Sequence, residues 1–343
     1  MVMDVPEDVK VVPGIEQGYD AWLAVNYLEG KFGTPTTETA KPAEDLLGAL
    51  NMGGASSQIA FYTTAAIQSA DDKYDGVVFG KEYNLYCHTN LCYGIGTLRD
   101  RYLALLASRA RIFTDPIASP CHPKYFSITV QTNSIFQSPC VSQTDNGITG
   151  PPIIKPWSIP DSITFGGSYS MRMCLSVIDE LFEGTPFEQP QRPPLSGDFA
   201  AIHKIWETVN AFVGGTALRI KMSLSRYTDI VDNFCRQDWR AIPGEQKPPG
   251  DRCLHGWLVR EMLKYYGFKS EAEWANITFF GGDGRNMASW STGYALNSSS
   301  KIPSTSPKIK MDATGYSIGI IFLINALLIA ILVLILNCRY RKQ

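Results

Sequence analysis

Residues 48 to 61, GALNMGGASSQIAF, interrupt an apolar run with two adjacent glycines, two hydroxyls and an amide. Glycine lets backbone N–H groups approach an anion closely and hydroxyls add donors. Gly53, Gly54, Ala55, Ser56, Ser57 and Gln58 therefore form a candidate phosphate cradle. A plain hairpin turn is the competing reading of the same stretch. Ser56 has no histidine near it in the sequence and sits in no G-x-S-x-G elbow, so it does not read as a serine-hydrolase nucleophile. His88, His122, His203 and His255 are scattered and read as structural residues.

These residues need a scaffold, and the patterning predicts an α/β domain. Residues 13–30 predict a turn feeding a helix, with Trp22, Val25 and Leu28 at three-residue spacing and Gly30 as its stop. A polar loop at 34–45 leads to the glycine segment. The runs QIAFYTTA and YDGVVFGKEYNLYCHT, rich in β-branched and aromatic residues, predict strands. A helix is expected over 97–112, a proline-rich and loop-rich middle over 115–197 with FEQPQRPPLSG as a long surface connection, and helices over about 199–212 and 222–234.

The chain has 343 residues with 31 basic against 33 acidic side chains and no long basic run, which sets aside a nucleic-acid partner. Residues 316 to 336 carry no charge and only Asn325 as a strongly polar side chain; at about 1.5 Å per residue they reach across the roughly 30 Å of a bilayer core. A transmembrane helix is expected there, with Arg339, Arg341 and Lys342 marking a cytosolic tail and Cys338 beside them as a candidate for palmitoylation. The first residues, MVMDVPEDVKVVPG, have no secretory leader pattern. Yet eight cysteines without a C-x-x-C pair point to disulfides rather than zinc, and the sequons at Asn276 and Asn297 agree with a secretory compartment. With Cys338 beyond the membrane, seven cysteines remain, so at least one is unpaired. The expectation is a chain that lacks its beginning, with its domain extracellular or in the Golgi or ER lumen.

Three blocks, GIEQGYDAWLAVNYLEGKFG, GALNMGGASSQIAF and FGKEYNLYCHTNLCYG, followed by SWSTGYALN before a single membrane helix, resemble the ecto-nucleoside triphosphate diphosphohydrolase (apyrase) family in order and spacing. The resemblance implies a ribonuclease-H-like lobe of the actin and heat-shock ATPase kind, Ca²⁺ or Mg²⁺ as cofactor, and hydrolysis of nucleoside tri- and diphosphates by water attack on the terminal phosphate. Two phosphate motifs of the family's N-terminal lobe are not in this sequence, so most of that lobe is expected to be absent. The implied layout is a C-terminal lobe over 1–265, a return segment over 266–300, a linker over 301–315, the membrane helix over 316–336 and a tail over 337–343. Homo-oligomerisation is left open. The resemblance also implies disulfides Cys92–Cys140, Cys121–Cys174 and Cys235–Cys253, each stabilising by about 3 to 4 kcal/mol on a chain-entropy estimate. Cys87 is then the odd thiol.

Two departures fall on the chemistry. The family's second glutamate of E-E-G, its general base, is Gln17 here, and its aspartate before L-G-G, which helps hold the metal through water, is Asn51. A neutral amide accepts no proton at ordinary pH, and a positioned base contributes roughly 10² to 10⁴-fold. Glu16 is expected to point elsewhere, and Asp20, three residues on, is the one neighbouring acid on the same helical face. A cation that stacks on the base in relatives is Ile95 here, while Trp206 stands where an aromatic partner for the base is expected. The expected function is nucleotide hydrolysis impaired at its acids. The alternatives are a catalytically dead nucleotide-binding or interaction protein and a tail-anchored cytosolic protein.

Overall fold

The computed structural model describes residues 11–32, 42–78, 80–142, 153–183, 192–242, 249–299 and 313–340. Most of the polar loop at 34–45, much of FEQPQRPPLSG, the linker, and the side chains of Cys338, Arg339, Arg341 and Lys342 lie outside the described residues. The chain divides into two units, Met1–Ser298 and Ser299–Gln343.

In the first unit the strands are β1 (Gly48–Met52), β2 (Ser56–Tyr62), β3 (Lys73–Val78), β4 (Lys81–Leu91), β5 (Ile117–Ser119), β6 (Ser127–Gln131), β7 (Ser162–Gly167), β8 (Phe199–His203), β9 (Arg219–Ile220) and β10 (Ile277–Phe280). The helices are α1 (Gly14–Leu28), α2 (Ile95–Arg109), α3 (Thr132–Phe136), α4 (Pro139–Ser142), α5 (Met171–Phe182), α6 (Lys204–Val213), α7 (Leu224–Cys235), α8 (Arg252–Tyr265), α9 (Glu271–Trp274) and α10 (Trp290–Ser299). A seven-stranded sheet runs in the order β3-β4-β2-β1-β8-β10-β9, and a smaller one in the order β5-β7-β6. In the large sheet β1, β8 and β10 are mutually parallel, whereas β2 runs against both β1 and β4. Every residue of β1 is buried, as expected of a strand covered on both faces.

One face carries α1, packed through Tyr19, Trp22 and Val25 onto Ala49, Ala60, Cys87 and Ile202. The other carries Leu50, Met52, Ile59 and Phe61 against Leu98, Ile205, Leu258 and Met262 of α2, α6 and α8. Asn26 locks α1 to the approach of β1: its Nδ2 donates to the Leu47 carbonyl and its Oδ1 accepts from the Leu47 N–H, at 2.9 and 2.8 Å. At the amino end of α1, a Cβ on Gly14 would lie 2.5 Å from the Thr89 side chain, so only glycine lets the helix sit this low on β4.

Two expectations need correction. Residues 199–203 are not the start of a helix; FAAIH is a central strand between β1 and β10, and the helix begins at Lys204. The middle of the chain, expected to be loop, holds β5, β6, β7 and α5. The disulfides Cys92–Cys140, Cys121–Cys174 and Cys235–Cys253 are all present, and Cys87 is a buried free thiol, its pKa pushed up by burial.

Ser119, His122 and Asp251 form a hydroxyl–imidazole–carboxylate chain at 2.7 and 3.0 Å. Ser119 and His122 are both 0% exposed and Tyr102 also bonds the serine, so the three groups brace β5 against α8 in the interior. Burial opposes ionisation of Asp251, but hydrogen bonding from His122 and the charge of Arg99 outweigh it and hold the carboxyl at about 2. Its contribution to stability is present above the usual carboxylate range and is lost as pH falls through about 2. His255 works in a higher window. Burial lowers it to about 4, so the unfolded chain takes up a proton near pH 6.5 that the folded chain refuses. Urea midpoints are therefore expected to decline as pH falls from about 6.5 to 4, by the equivalent of about 3 kcal/mol. His255→Gln should flatten that limb; an unchanged slope would show that His255 does not cause it.

The second unit contains α11 (Ala313–Tyr340), whose segment Tyr316–Leu336 is 21 residues long and apolar enough to cross a membrane. Asn325 satisfies its amide inside the helix by donating to the Ile321 carbonyl at 2.8 Å.

Candidate functional site

The glycine stretch is a hairpin turn between β1 and β2. Gly53 N–H donates to Ser56 O at 2.8 Å, closing a tight turn between β1 and β2. The loop's carbonyls are all engaged: Gly53 O and Gly54 O accept from Ile95 and Gly96 at the start of α2, Ala55 O accepts from Cys92, and Ser56 O from Gly53. Gly54 and Ala55 are exposed, and among the described residues their N–H groups donate to no backbone partner. Bound carbonyls with unengaged amides are an arrangement that can receive an anion. Gly94 makes the docking possible, since a Cβ there would lie 2.4 Å from Ala55 N.

Beside the loop, on the face covered by α1, five amide and hydroxyl side chains join in one network. Gln17 Nε2 donates to the Val12 carbonyl at 3.0 Å, and Gln58 Nε2 lies 3.5 Å from Gln17 Oε1. Asn51 Nδ2 donates to Gln58 Oε1 at 2.6 Å, while Gln58 Nε2 also reaches Ser56 Oγ at 2.8 Å and Thr89 Oγ1 at 3.2 Å. A main-chain carbonyl can only accept, so Val12 fixes the orientation of Gln17, Gln17 that of Gln58, and Gln58 that of Asn51. Asn51 and Gln58 are each 1% exposed. This relay of amides contains no proton acceptor with a pKa near neutrality.

The structure thus brings Gln17, Asn51, Ser56 and Gln58 together next to Gly53, Gly54 and Ala55. Ser57 is not among them. It points to the opposite face of β2, is 0% exposed, and its Oγ accepts from Tyr266 at 3.0 Å. Trp206 packs with the core on that opposite face, its ring resting against Gly281, where a Cβ would meet the indole at 2.5 Å. Ile95 is the first residue of α2 and is buried. Glu16 lies near Tyr74, whose pKa is raised by burial and then by the charge of Glu16. Asp20 is 1% exposed beside Tyr19, Tyr74 and Cys87, with Gly293 of α10 packed on its backbone, so it does not stand in for the base.

For a divalent cation the donor set is poor. Asn51 Oδ1 is buried without a partner among the described residues and can accept from a water, but it is neutral. No cluster of three or more His, Cys, Asp or Glu side chains suited to a metal occurs among the described residues. Hard cations select anionic oxygen, so these residues do not fit Mg²⁺ or Ca²⁺ as a resident ion.

Two participants were not foreseen. Val12 contributes only its carbonyl, and Thr89 became adjacent to Gln58 only through strand pairing. His203 stands apart from this network, at the carboxyl end of β8 beside Met52, with φ 56° and ψ −124°. Such a conformation costs an L-residue about 1 to 3 kcal/mol. Burial lowers the His203 pKa, and its Nδ1 has no partner among the described residues.

Residues 1–313 match the GDA1/CD39 (nucleoside phosphatase) family. Human ectonucleoside triphosphate diphosphohydrolase 8 is 29% identical over 338 residues, covering 93% of this chain and 64% of the relative. Mouse ectonucleoside triphosphate diphosphohydrolase 2 is 28% identical over 350 residues, covering 96% of this chain and 66% of the relative. The chain therefore spans slightly under two thirds of the length of these relatives. Among solved structures, nucleoside triphosphate hydrolase from Neospora caninum shares the fold with a TM-score of 0.61 at 15% identity, over 85% of this chain and 64% of that one. With the glycine loop, the α1 helix and the disulfide frame in place, the match over residues 1–313 has a structural counterpart: the chain belongs to the GDA1/CD39 nucleoside phosphatase family.

Proposed function

We propose that the protein is a membrane-anchored nucleoside tri- and diphosphate phosphohydrolase of slow turnover, which retains the phosphate loop and has exchanged its water-activating acids for amides. The observation that carries this reading is the directed chain from Asn51 through Gln58 and Gln17 to the Val12 carbonyl, set beside a loop with unengaged N–H groups. The terminal phosphate rests on the Gly54 and Ala55 N–H groups. Ser56 Oγ accepts from Gln58, so its own O–H is available to a phosphate oxygen or to the attacking water. Gln17 Oε1 can orient that water but cannot take its proton, which removes the contribution of a general base.

Further features support the rest of the reading. The strand order β4-β2-β1-β8-β10, with β2 reversed, supports a ribonuclease-H-like lobe. Disulfides and the exposed Asn276 sequon support a domain outside the cytosol, anchored by α11. Any Mg²⁺ or Ca²⁺ arrives with the phosphates.

The second reading, a nucleotide-binding protein without turnover, is favoured by the commitment of both ends of the Gln17 amide. Phosphate release from ATP, ADP, UDP and GDP, with Mg²⁺ or Ca²⁺, separates the two. Slow release that disappears in Ser56→Ala is the expected result. Saturable binding with no release would select the second reading, and neither binding nor release would dismiss both.

A further inference from the structure

We propose a second ligand site, separate from the glycine loop, for a small carboxylate with an apolar body. It lies in a cavity of 530 Å³ between α2, α5 and the segment that follows residue 152. A cavity of that size suits one compact organic molecule.

Its floor is Arg101, whose side chain is 4% exposed. One face of the guanidinium lies 4.8 Å from the Tyr93 ring centre, and Nη2 donates to the Leu181 carbonyl at 3.2 Å. Nη1 is buried and has no partner among the described residues. A guanidinium keeps its charge, so burial with no acceptor at Nη1 leaves that charge without a counter-ion and the Nη1 N–H groups unsatisfied. The carboxylate in the lining, Glu180, is paired with Arg109 and does not neutralise Arg101. Lys155, the other cation of the lining, donates to Asn133 Oδ1 at 3.1 Å.

The walls are apolar: Leu105, Ile153, Pro156 and Leu181 line the cavity, and Ile154 and Trp157 stand exposed at its mouth. Trp157 has no cover at all, at 106% relative exposure. One buried, unanswered guanidinium asks for one anionic group. Apolar walls with an aromatic lip ask for a flat or branched hydrocarbon attached to it. A polyphosphate would find a single unengaged donor group and several unfavourable walls, so the chemistry differs from that of the glycine loop.

The test is equilibrium dialysis of 2-naphthoate against the full-length protein in lipid nanodiscs, with empty nanodiscs as the blank. Its neutral isostere 2-naphthamide and inorganic phosphate are the comparison ligands. One saturable site for naphthoate is expected, with the amide weaker by about tenfold or more, as for loss of a charge-assisted hydrogen bond, and no competition from phosphate. Arg101→Met should abolish the site. Because that change falls in the core, Trp157→Ala and Ile154→Asp at exposed positions provide the independent check and should each weaken binding about tenfold. Equal binding of the amide, competition by phosphate, or naphthoate binding unchanged in both Trp157→Ala and Ile154→Asp would overturn the proposal, as would the absence of a saturable site.

Discussion

Gln17→Glu combined with Asn51→Asp is expected to raise single-turnover phosphate release by about 10²-fold or more over the parent protein. The two changes should not act independently, because both positions meet Gln58. Asn51 donates to Gln58 Oε1, which sends the Gln58 amino group toward Gln17, Ser56 and Thr89. An aspartate at 51 has no N–H to give, so Gln58 must turn its amide over, and its oxygen then faces the oxygen of Gln17. A glutamate at 17 alone keeps the Gln58 N–H but loses its donation to Val12, leaving two acceptors opposed. With both acids present, Gln58 Nε2 can serve only one; the other is left to hold a water, which is the condition a general base needs. Phosphate release by the parent, the two single variants and the double variant forms a cycle in which the double should exceed the product of the singles. Strict additivity would mean that Gln58 does not couple the two sites.

Gly94→Ala should cost the protein its phosphate binding. The new Cβ would lie 2.4 Å from Ala55 N and Gly54 C and 2.5 Å from Ser56 N, all backbone atoms that no rotamer change can move aside. The loop must then lift from the start of α2, breaking the bonds that Ile95 and Gly96 make to its carbonyls. Overpacking of this kind costs about 1 to 3 kcal/mol. A lower thermal midpoint and an ADP affinity reduced about tenfold or more are expected, the second corresponding to one lost charge-assisted hydrogen bond. A thermal melt checks the first and calorimetric titration of ADP into the variant the second, and an unchanged affinity would remove the loop from the phosphate site.

Local signals in the sequence reached as far as local structure. Gly53 and Gly54 between apolar runs marked the turn, and Trp22, Val25 and Leu28 marked α1, because periodicity and turn chemistry act over a few residues. The Phe199–His203 stretch misled because FAAIHKIWETV fits helical spacing throughout. Its first five residues are strand because β1 and β10 bond them on both sides, and a ladder of that kind overrides a weak propensity. The amide relay was out of reach for a different reason. Val12, Gln17, Asn51, Gln58 and Thr89 come from three strands and the α1 region, and they meet only once α1 is seated on Thr89 through Gly14. Family resemblance identified Gln17 and Asn51 as altered positions, but not that Gln58 joins them. Ser57 shows the limit of reading a motif as a unit: alternate residues of β2 face opposite sides of the sheet, so adjacent serines have different neighbours.

If the Gly53–Ser56 loop receives nucleotide phosphates while Gln17 withholds the base, ADP binds and is consumed only slowly. Titrating ADP into the parent protein at neutral pH, with free phosphate followed in the same cell, is the decisive measurement. Saturable binding, with phosphate appearing far more slowly than in the Gln17→Glu, Asn51→Asp variant, is the predicted result. Release by the parent as fast as by the variant, or no ADP binding at all, would contradict it.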